Sequence, residues 1–259
     1  MSAETPAKTV TVAFILCVVF SLIVSTTAVV LKDKQDYNKD IDLKKNILVS
    51  AGLLPSKDAS NKEVEETFKK VQPIVIEVTS GKKTELKTTD VDIANDVKDN
   101  SKSIKIASKD DIAALSRRPK NVVVYIVKEA EKTSAVILPI VSKGLWSTMY
   151  GFLALDSDTT TIKGFAYYSQ GETPGLGGEV ENPKWMKQWI GKKIYDVNWS
   201  VLFQLKKGTV VKGEPNADYM VDGLSGATIT SVGVSNSIQY WLGKNGFGTF
   251  LAKVRNGEF

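Results

Sequence analysis

The chain has 259 residues, and its 34 Lys and Arg residues against 29 Asp and Glu give a formal net charge of +5. It has no histidine and one cysteine, which excludes Ser–His and Cys–His nucleophile pairs, imidazole metal sites, internal disulfides and thiolate zinc sites. Any redox chemistry must therefore come from a bound cofactor, and the mild excess of dispersed lysines does not favour nucleic-acid binding.

An uncharged apolar segment near the N-terminus covers residues 10–31. As a helix rising about 1.5 Å per residue, it is long enough to cross the hydrocarbon core of a bilayer. A cleaved signal peptide normally has a shorter apolar stretch and a stronger cationic region than Lys8 beside Glu4 provides. We therefore interpret residues 10–31 as a single transmembrane anchor that follows a tail of residues 1–9. The charges after it are mixed, so the positive-inside rule leaves the orientation open.

The rest of the chain predicts an α+β fold with an antiparallel sheet held at one membrane surface. Residues 32–120 form a helical and irregular membrane-proximal part, in which residues 82–118 are polar, weakly patterned and predicted to be an insertion on the surface. Residues 121–259 form the main domain. The predicted helices cover residues 36–51 (ended by Gly52 and Pro55), the segment after the capping box 60–63, a short turn from Asn182-Pro183, and residues 231–242 and 250–254. The predicted strands cover residues 74–78, 121–127, 135–140, 147–156, 161–169, 201–205 and 217–222.

Two glycine-rich segments are unusual for plain structure. Residues 171–179 (GETPGLGGE) form a loop with exposed amides and little bulk, which allows a ligand to approach the backbone. Their spacing is not that of a dinucleotide-binding fingerprint. Residues 222–230 (DGLSGATIT) run from a strand through a tight turn into a helix, with Thr228 near the N-cap, where free N–H groups suit an anionic phosphate. The alternative is an ordinary N-capping threonine or serine, and local physics alone favours that alternative.

The two segments together resemble the FMN-binding domain of the C subunit of the sodium-translocating NADH:quinone oxidoreductases. The resemblance extends over the anchor, the total length, residues 144–151 (GLWSTMYG) and essentially all of residues 120–259. The G subunit of the related Rnf electron-transport complex shares both motifs and is the alternative, although the long segment between residues 56 and 120 favours the C subunit of the quinone reductases.

The resemblance implies a covalent flavin and the residues that surround it. In this family a flavin transferase esterifies FMN, through its phosphate, onto the threonine of the SGAT element, which is Thr228 here. The resemblance implies no metal and no side chain with a catalytic role of its own. The expected cofactor-binding residues are Asp222, Ser225, Gly226 and Ala227 in the recognition turn, Glu172 and Thr173 as polar contacts, Gly175 in the loop, and Leu176, Leu145 and Trp146 against the ring. For Leu145 and Trp146, plain core packing is an equal alternative.

The resemblance also implies an electron-relay role in a multi-subunit membrane complex. Electrons from NADH would reach this FMN through other subunits and continue to a flavin in a membrane subunit and to ubiquinone, coupled to sodium export. Because the flavin transferase acts outside the cytoplasm, the large domain is expected to be periplasmic on the bacterial inner membrane. An anchored extracytoplasmic ligand-binding module without a redox role, or a structural accessory subunit, remains open from the residues alone.

Overall fold

The computed structural model describes residues 5–129 and 132–259, and it combines helices with antiparallel strands, which confirms the α+β prediction. The chain divides into two compact units, Met1–Leu43 and Lys44–Phe259. The helices are α1 Pro6–Ser50, α2 Asn61–Phe68, α3 Ile93–Asp96, α4 Pro183–Lys187, α5 Thr228–Leu242 and α6 Gly248–Arg255. The strands are β1 Val71–Glu77, β2 Lys82–Lys83, β3 Ser103–Lys105, β4 Arg117–Pro119, β5 Asn121–Glu129, β6 Lys132–Lys143, β7 Thr148–Asp156, β8 Ile162–Ser169, β9 Gln204–Lys206 and β10 Met220–Asp222.

Helix α1 is 45 residues long and contains the apolar segment that the sequence indicated. Its most apolar 18-residue window has a mean hydropathy of 2.7 and is 0% buried, as suits a membrane span. The sequence predicted a separate helix over residues 36–51, whereas the structure has one uninterrupted helix. The physical reason is that residues 32–50 contain neither glycine nor proline, so nothing ends the helix before Ser50.

The ends of the first two helices follow local sequence signals. After α1, Gly52 has a φ of +68°, and the Leu53 N–H donates to the Leu48 carbonyl at 2.9 Å. The sequence predicted that Gly52 ends this helix, and in the structure Gly52 does so in the left-handed conformation. At the start of α2, the Ser60 side chain accepts a hydrogen bond from the Glu63 N–H at 3.3 Å, which is one of the two hydrogen bonds of the predicted capping box.

The main sheet has six antiparallel strands in the order β2-β1-β5-β6-β7-β8. The five β-rich segments predicted before residue 170 all lie in it, and a turn after Asp156 joins β7 to β8 as a hairpin. Strand β1 pairs with β5 from Val71 opposite Val127 to Glu77 opposite Asn121. The sheet therefore includes residues on both sides of the boundary that the sequence suggested at residue 120.

Two smaller sheets carry the remaining strands, with β3 antiparallel to β4 and β9 parallel to β10. The predicted strand over residues 201–205 is wrong in extent, because β9 begins only at Gln204. The two preceding N–H groups both donate to the Ile194 carbonyl, so they are not available to a regular ladder. Likewise, only the last three residues of the predicted strand 217–222 form β10, and the first three form a 3-10 turn.

Residues 82–118 are less peripheral than their polarity suggested. They contain α3, β2, β3 and part of β4, and their side chains Ile106 and Ala113 are buried in the main core. The Asp111 carboxylate accepts two backbone N–H groups of the following turn at 2.8 and 2.7 Å. The segment is therefore ordered both by the burial of these side chains and by short-range polar contacts, which hydrophobic periodicity does not reveal.

Helix α4 begins as the sequence predicted and anchors the loop that precedes it. The Asn182 side chain caps its first turn, and Pro183 is its first residue. Trp185 and Trp189 are both buried, and the Trp189 ring stacks on Phe165 with a centroid distance of 4.0 Å. This aromatic packing fixes the chain that follows β8 against the sheet.

Helix α5 is buried along most of its length and lies against β6. Its Trp241 Nε1 donates to the Val141 carbonyl at 2.9 Å. Gly233 packs so closely on the Lys143 carbonyl that a Cβ at this position would overlap the oxygen. The close approach brings the first turns of α5 next to the end of β6, where the candidate site is found.

Candidate functional site

A cavity of ≈ 430 Å³ lies where three segments of the second unit converge. The segments are the turn after β6, the glycine-rich loop after β8 and the first turn of α5. A volume of this size is within the range of small-molecule sites in proteins. The lining residues are Leu145, Trp146, Glu172, Thr173, Leu176, Gly177, Gly226, Ala227, Thr228, Ile229 and Thr230.

The turn after β6 presents apolar side chains at the cavity instead of burying them in the core. It is closed by the Gly144 N–H, which donates to the Ser147 carbonyl at 2.9 Å. Leu145 is 50% exposed and Trp146 is 72% exposed, so the core-packing alternative for these two residues is wrong. Leu176 and Ile229 are exposed on other parts of the same rim. The rim is therefore an apolar surface suited to a planar ligand.

Glu172 is buried beneath this rim, and its carboxylate accepts five hydrogen bonds from the protein. Oε1 accepts from the Trp146 N–H at 3.0 Å, the Ser147 N–H at 2.9 Å and the Ser147 hydroxyl at 2.9 Å. Oε2 accepts from the Leu145 N–H at 3.0 Å and the Thr230 hydroxyl at 2.8 Å. Burial acts to raise the pKa of Glu172, but these hydrogen bonds together outweigh burial and hold the pKa below its usual range.

The first turn of α5 supplies the polar end of the cavity. The helix predicted over residues 231–242 begins earlier, with Ala227 as N-cap and Thr228 as its first residue. Ala227 has no side chain that could cap the helix, and the first turn contains no acidic residue. In the described ranges, no protein group accepts a hydrogen bond from the N–H of Thr228, Ile229 or Thr230. These N–H groups and the helix dipole therefore suit an anion.

Among the hydroxyl groups of residues 225–231, which all lie in the described ranges, only that of Thr228 belongs to an exposed residue that lines the cavity. Thr230 is 1% exposed, and its hydroxyl donates to Glu172. Ser231 is buried, donates to the Ala227 carbonyl at 3.0 Å and accepts from a backbone N–H at 2.9 Å. Ser225 is exposed but is not part of the lining. The geometry thus separates Thr228 from its neighbours.

The glycines at or near the site are required for different structural reasons. Gly175 has a φ of +76° with open space around it, so it serves a turn. A Cβ at Gly177 would lie 2.8 Å from both Glu172 Oε2 and the Thr230 hydroxyl, so this glycine makes room for protein side chains. Gly226 has a φ of +70° and packs beneath Leu176. The loop is therefore shaped partly by the buried Glu172 as well as by the open cavity.

Asp222 is separated from the cavity at Thr228. Its carboxylate accepts the Val210 N–H at 2.7 Å and the Gln188 side-chain amide at 3.1 Å, and it lines a second cavity of ≈ 380 Å³. Gly175 and Ser225 are also absent from the lining. The other expected binding residues do come together there, namely Leu145, Trp146, Glu172, Thr173, Leu176, Gly226, Ala227 and Thr228.

The sequence reasoning did not select Gly177, Ile229 or Thr230 as binding residues. Ile229 is a large apolar side chain with 59% exposure, directly after Thr228. The contact between Glu172 and Thr230 joins residues 58 positions apart, so no local pattern could have indicated it. The only signal in the sequence that could have pointed to Thr230 was its hydroxyl, which lies in the first turn of a helix that is otherwise rich in buried residues.

Comparison with known proteins identifies the family. A family model described as FMN-binding domain matches residues 144–243. The C subunit of the Na(+)-translocating NADH-quinone reductase of Yersinia pestis is 44% identical over 252 residues, which cover 96% of this chain and 93% of that protein. The corresponding protein of Pseudomonas aeruginosa is 42% identical over 257 residues, covering 98% of each chain. The chain belongs to the C-subunit family of these reductases.

Solved structures of members of this family have the same fold. The crystal structure of Shewanella oneidensis NqrC matches with a TM-score of 0.76 and 33% identity, covering 85% of this chain and 99% of that chain. The C subunit from Parabacteroides distasonis matches with a TM-score of 0.64 and 28% identity, covering 85% and 96%. The range matched by the FMN-binding model includes every residue that lines the cavity. With helix α1, family membership identifies the chain as a membrane-anchored subunit of an oxidoreductase complex.

Proposed function

We propose that this member of the C-subunit family carries FMN in the ≈ 430 Å³ cavity, linked covalently through its phosphate to the Thr228 hydroxyl. The observation that carries this proposal is a combination of features at Thr228. This exposed residue lines the cavity with a hydroxyl group, and it begins a helix whose first N–H groups have no protein acceptor in the described ranges. A phosphoester needs such a hydroxyl, and the neighbouring Thr230 and Ser231 hydroxyls are buried and bonded.

The residues present fit an esterified flavin phosphate. The cavity lining contains no lysine or arginine. A phosphate joined to both a flavin chain and a threonine keeps one negative charge, which the free amides and dipole of α5 can stabilise without a cation. Leu145, Trp146 and Leu176 offer apolar cover for the flavin ring, and Thr173 offers a polar contact. We assign Asp222, Ser225, Gly226 and Ala227 to the turn that a flavin transferase recognises during maturation.

The bound flavin supplies electron transfer, which no side chain of this protein can provide. The sequence has no histidine and a single cysteine, Cys17, which lies in the apolar part of α1. We propose that the chain relays electrons within a sodium-translocating NADH:quinone reductase. It receives them from NADH through other subunits and passes them toward a flavin in a membrane subunit and ubiquinone. In this proposal α1 anchors the chain in the bacterial inner membrane and the large domain is periplasmic.

The experiment is to produce the full chain with a flavin transferase, denature it in detergent and examine the gel under ultraviolet light. We expect fluorescence that survives denaturation, and a peptide containing Thr228 whose mass is increased by one esterified FMN. Thr228→Val should abolish the fluorescent band while the far-ultraviolet circular dichroism stays unchanged, because Thr228 is an exposed first helical residue. Thr230→Val is the matched control and should keep the band.

Two results would contradict the proposal. Flavin-bearing peptide mapped to Thr230 or Ser225 would place the ester elsewhere. A flavin that is washed away on denaturation would leave an anchored ligand-binding module as the better description of this chain.

A further inference from the structure

Glu172 connects all three segments that form the cavity. It belongs to the glycine-rich loop, it accepts three consecutive backbone N–H groups from the turn of residues 145–147, and it accepts the hydroxyl of Thr230 in the first turn of α5. These partners are 25–27 and 58 positions away in the sequence. One carboxylate therefore fixes the positions of the three segments relative to one another.

The surroundings of Glu172 match a carboxylate specifically. Its five partners all donate, and three of them are backbone N–H groups that cannot reverse their direction. A glutamine at this position would have to turn its NH₂ group toward at least one of those N–H groups, whichever way the amide is placed. The five bonds also occupy the acceptor capacity of both oxygens, so none is left over for a ligand.

The glycines beside Glu172 support the same conclusion independently. A Cβ at Gly144 would overlap the Glu172 carboxylate, and a Cβ at Gly177 would lie 2.8 Å from its Oε2. Neither position has the positive φ that would by itself require glycine. Both glycines thus leave space that the Glu172 carboxylate fills.

We infer that Glu172 is a positioning residue, which holds the Leu145–Trp146 turn against the first turn of α5 and so keeps the cavity formed before any ligand enters. It acts through the protein and not by touching the flavin, which differs from the direct polar contact that the sequence suggested. The description of the cavity as a flavin site rests on the proposed function, but the positioning role of Glu172 does not.

The test measures hydrogen exchange in the full chain, purified in detergent without FMN. Glu172→Gln keeps the shape of the side chain and removes the charge, and Glu181→Gln, an exposed carboxylate at the end of the same loop, is the matched control. We expect the amides of residues 145–147 to exchange about tenfold faster or more in Glu172→Gln, because charge-assisted hydrogen bonds to these amides are lost. The amides of β5 and β6 should exchange as in the original chain.

A second variant keeps the inference testable if Glu172→Gln does not fold. Thr230→Val removes only one of the five bonds and should produce a smaller acceleration in the same residues. In protein loaded with covalent FMN, Glu172→Gln should also change the visible circular dichroism of the flavin while the ester to Thr228 is retained. Glu181→Gln should leave that spectrum unchanged.

Unaltered exchange at residues 145–147 in both variants would overturn the inference. So would an equal acceleration throughout β5 and β6, because that result describes a general loss of stability and not local positioning. The exchange measurement uses flavin-free protein, so it stands even if FMN is not attached to Thr228. Failure of the proposed function is detected separately, by the mass of the peptide that contains Thr228.

Discussion

Glu172 carries a negative charge in a place where burial opposes it, since the residue is 5% exposed. Among the residues that the structure describes, no lysine or arginine lines the cavity, and the groups that contact the carboxylate are N–H and hydroxyl dipoles. Three successive backbone N–H groups and two hydroxyls point their positive ends at the two oxygens. Charge-assisted hydrogen bonds of this kind are stronger than neutral ones, which explains why the pKa of Glu172 is lowered in spite of burial.

The lowered pKa of Glu172 predicts how stability changes with pH. A carboxyl whose pKa is lower in the folded state than in the unfolded state stabilises the fold above its unfolded value, about 4.3 for glutamate. That contribution is lost as the pH falls through the folded value. We therefore expect the original chain to have a higher Tm than Glu172→Gln at pH 7, and the difference to shrink as the pH is lowered from about 5 to about 3.

The measurement is thermal unfolding of flavin-free protein in detergent, followed by near-ultraviolet circular dichroism at several pH values. The pKa of Asp158 is also lowered. Burial acts to raise it, but hydrogen bonds from Thr161 and Thr160 outweigh burial. Its contribution is common to both proteins and cancels in the difference. A Tm difference that is the same at pH 7 and pH 3 would show that the charge of Glu172 does not contribute.

At the scale of helices and strands, the sequence predicted the features that depend on a local pattern of residues. The β-branched segments of the main sheet, the N-cap at Ser60 and the glycine ending at Gly52 are visible in a few adjacent residues, and the structure has them where predicted. The SGAT element likewise placed Thr228 at the start of a helix. In each case neighbours along the chain supply the stabilising contacts.

What the sequence did not predict depends on contacts between distant residues. The Glu172–Thr230 hydrogen bond and the burial of Ile106 in the main core have no local signature. Asp222 is adjacent to the SGAT turn in sequence, yet its carboxylate points to Gln188 and the Val210 N–H. Sequence proximity therefore did not indicate which side chains line the cavity, and the sequence selected Glu172 without indicating the distant contacts that it makes.

Two glycines in the loop after β8 allow the roles of turn geometry and close packing to be separated. Gly177→Ala places a Cβ 2.8 Å from Glu172 Oε2, so we expect a loss of about 1–3 kcal/mol from overpacking and a changed visible circular dichroism of the bound flavin. Gly175→Ala meets no atom but must keep a φ of +76°, so we expect about 1–2 kcal/mol of backbone strain and an unchanged flavin spectrum. Covalent FMN should be retained in both variants.

Gly208→Ala is the control for backbone strain, because this glycine also has a positive φ, has open space around it and lies outside the cavity. Stability is measured by urea unfolding and the flavin environment by visible circular dichroism. Equal flavin spectra in Gly177→Ala and Gly208→Ala would mean that Gly177 does not influence the cavity through Glu172.

At the scale of the whole molecule, helix α1 has two different surroundings along its length. None of its apolar window is buried in the protein, as suits a bilayer-spanning segment. Its last residues belong to the second unit, where Ile47 and Leu48 are 0% exposed. The backbone carbonyl of Ser50 also packs against Gly164 of β8, too closely to admit a Cβ there. The C-terminal turns of α1 are therefore part of the folded domain that holds the cavity.

This division predicts different outcomes for two truncations. Deletion of residues 1–32 removes the apolar segment and keeps Ile47 and Leu48, so the remaining chain should appear in the soluble fraction, fold, and accept FMN when made with a flavin transferase. Deletion of residues 1–52 should also release the chain from the membrane. It removes the buried side chains of Ile41, Ile47 and Leu48, each of which contributes about 2–5 kcal/mol in comparable core truncations, and should leave the domain unfolded or strongly destabilised.

Membrane fractionation and thermal unfolding distinguish these outcomes. A chain without residues 1–32 that stays in the membrane fraction would reveal a second membrane contact in the domain. Equal stability of the two truncated chains would show instead that the end of α1 is dispensable for the fold.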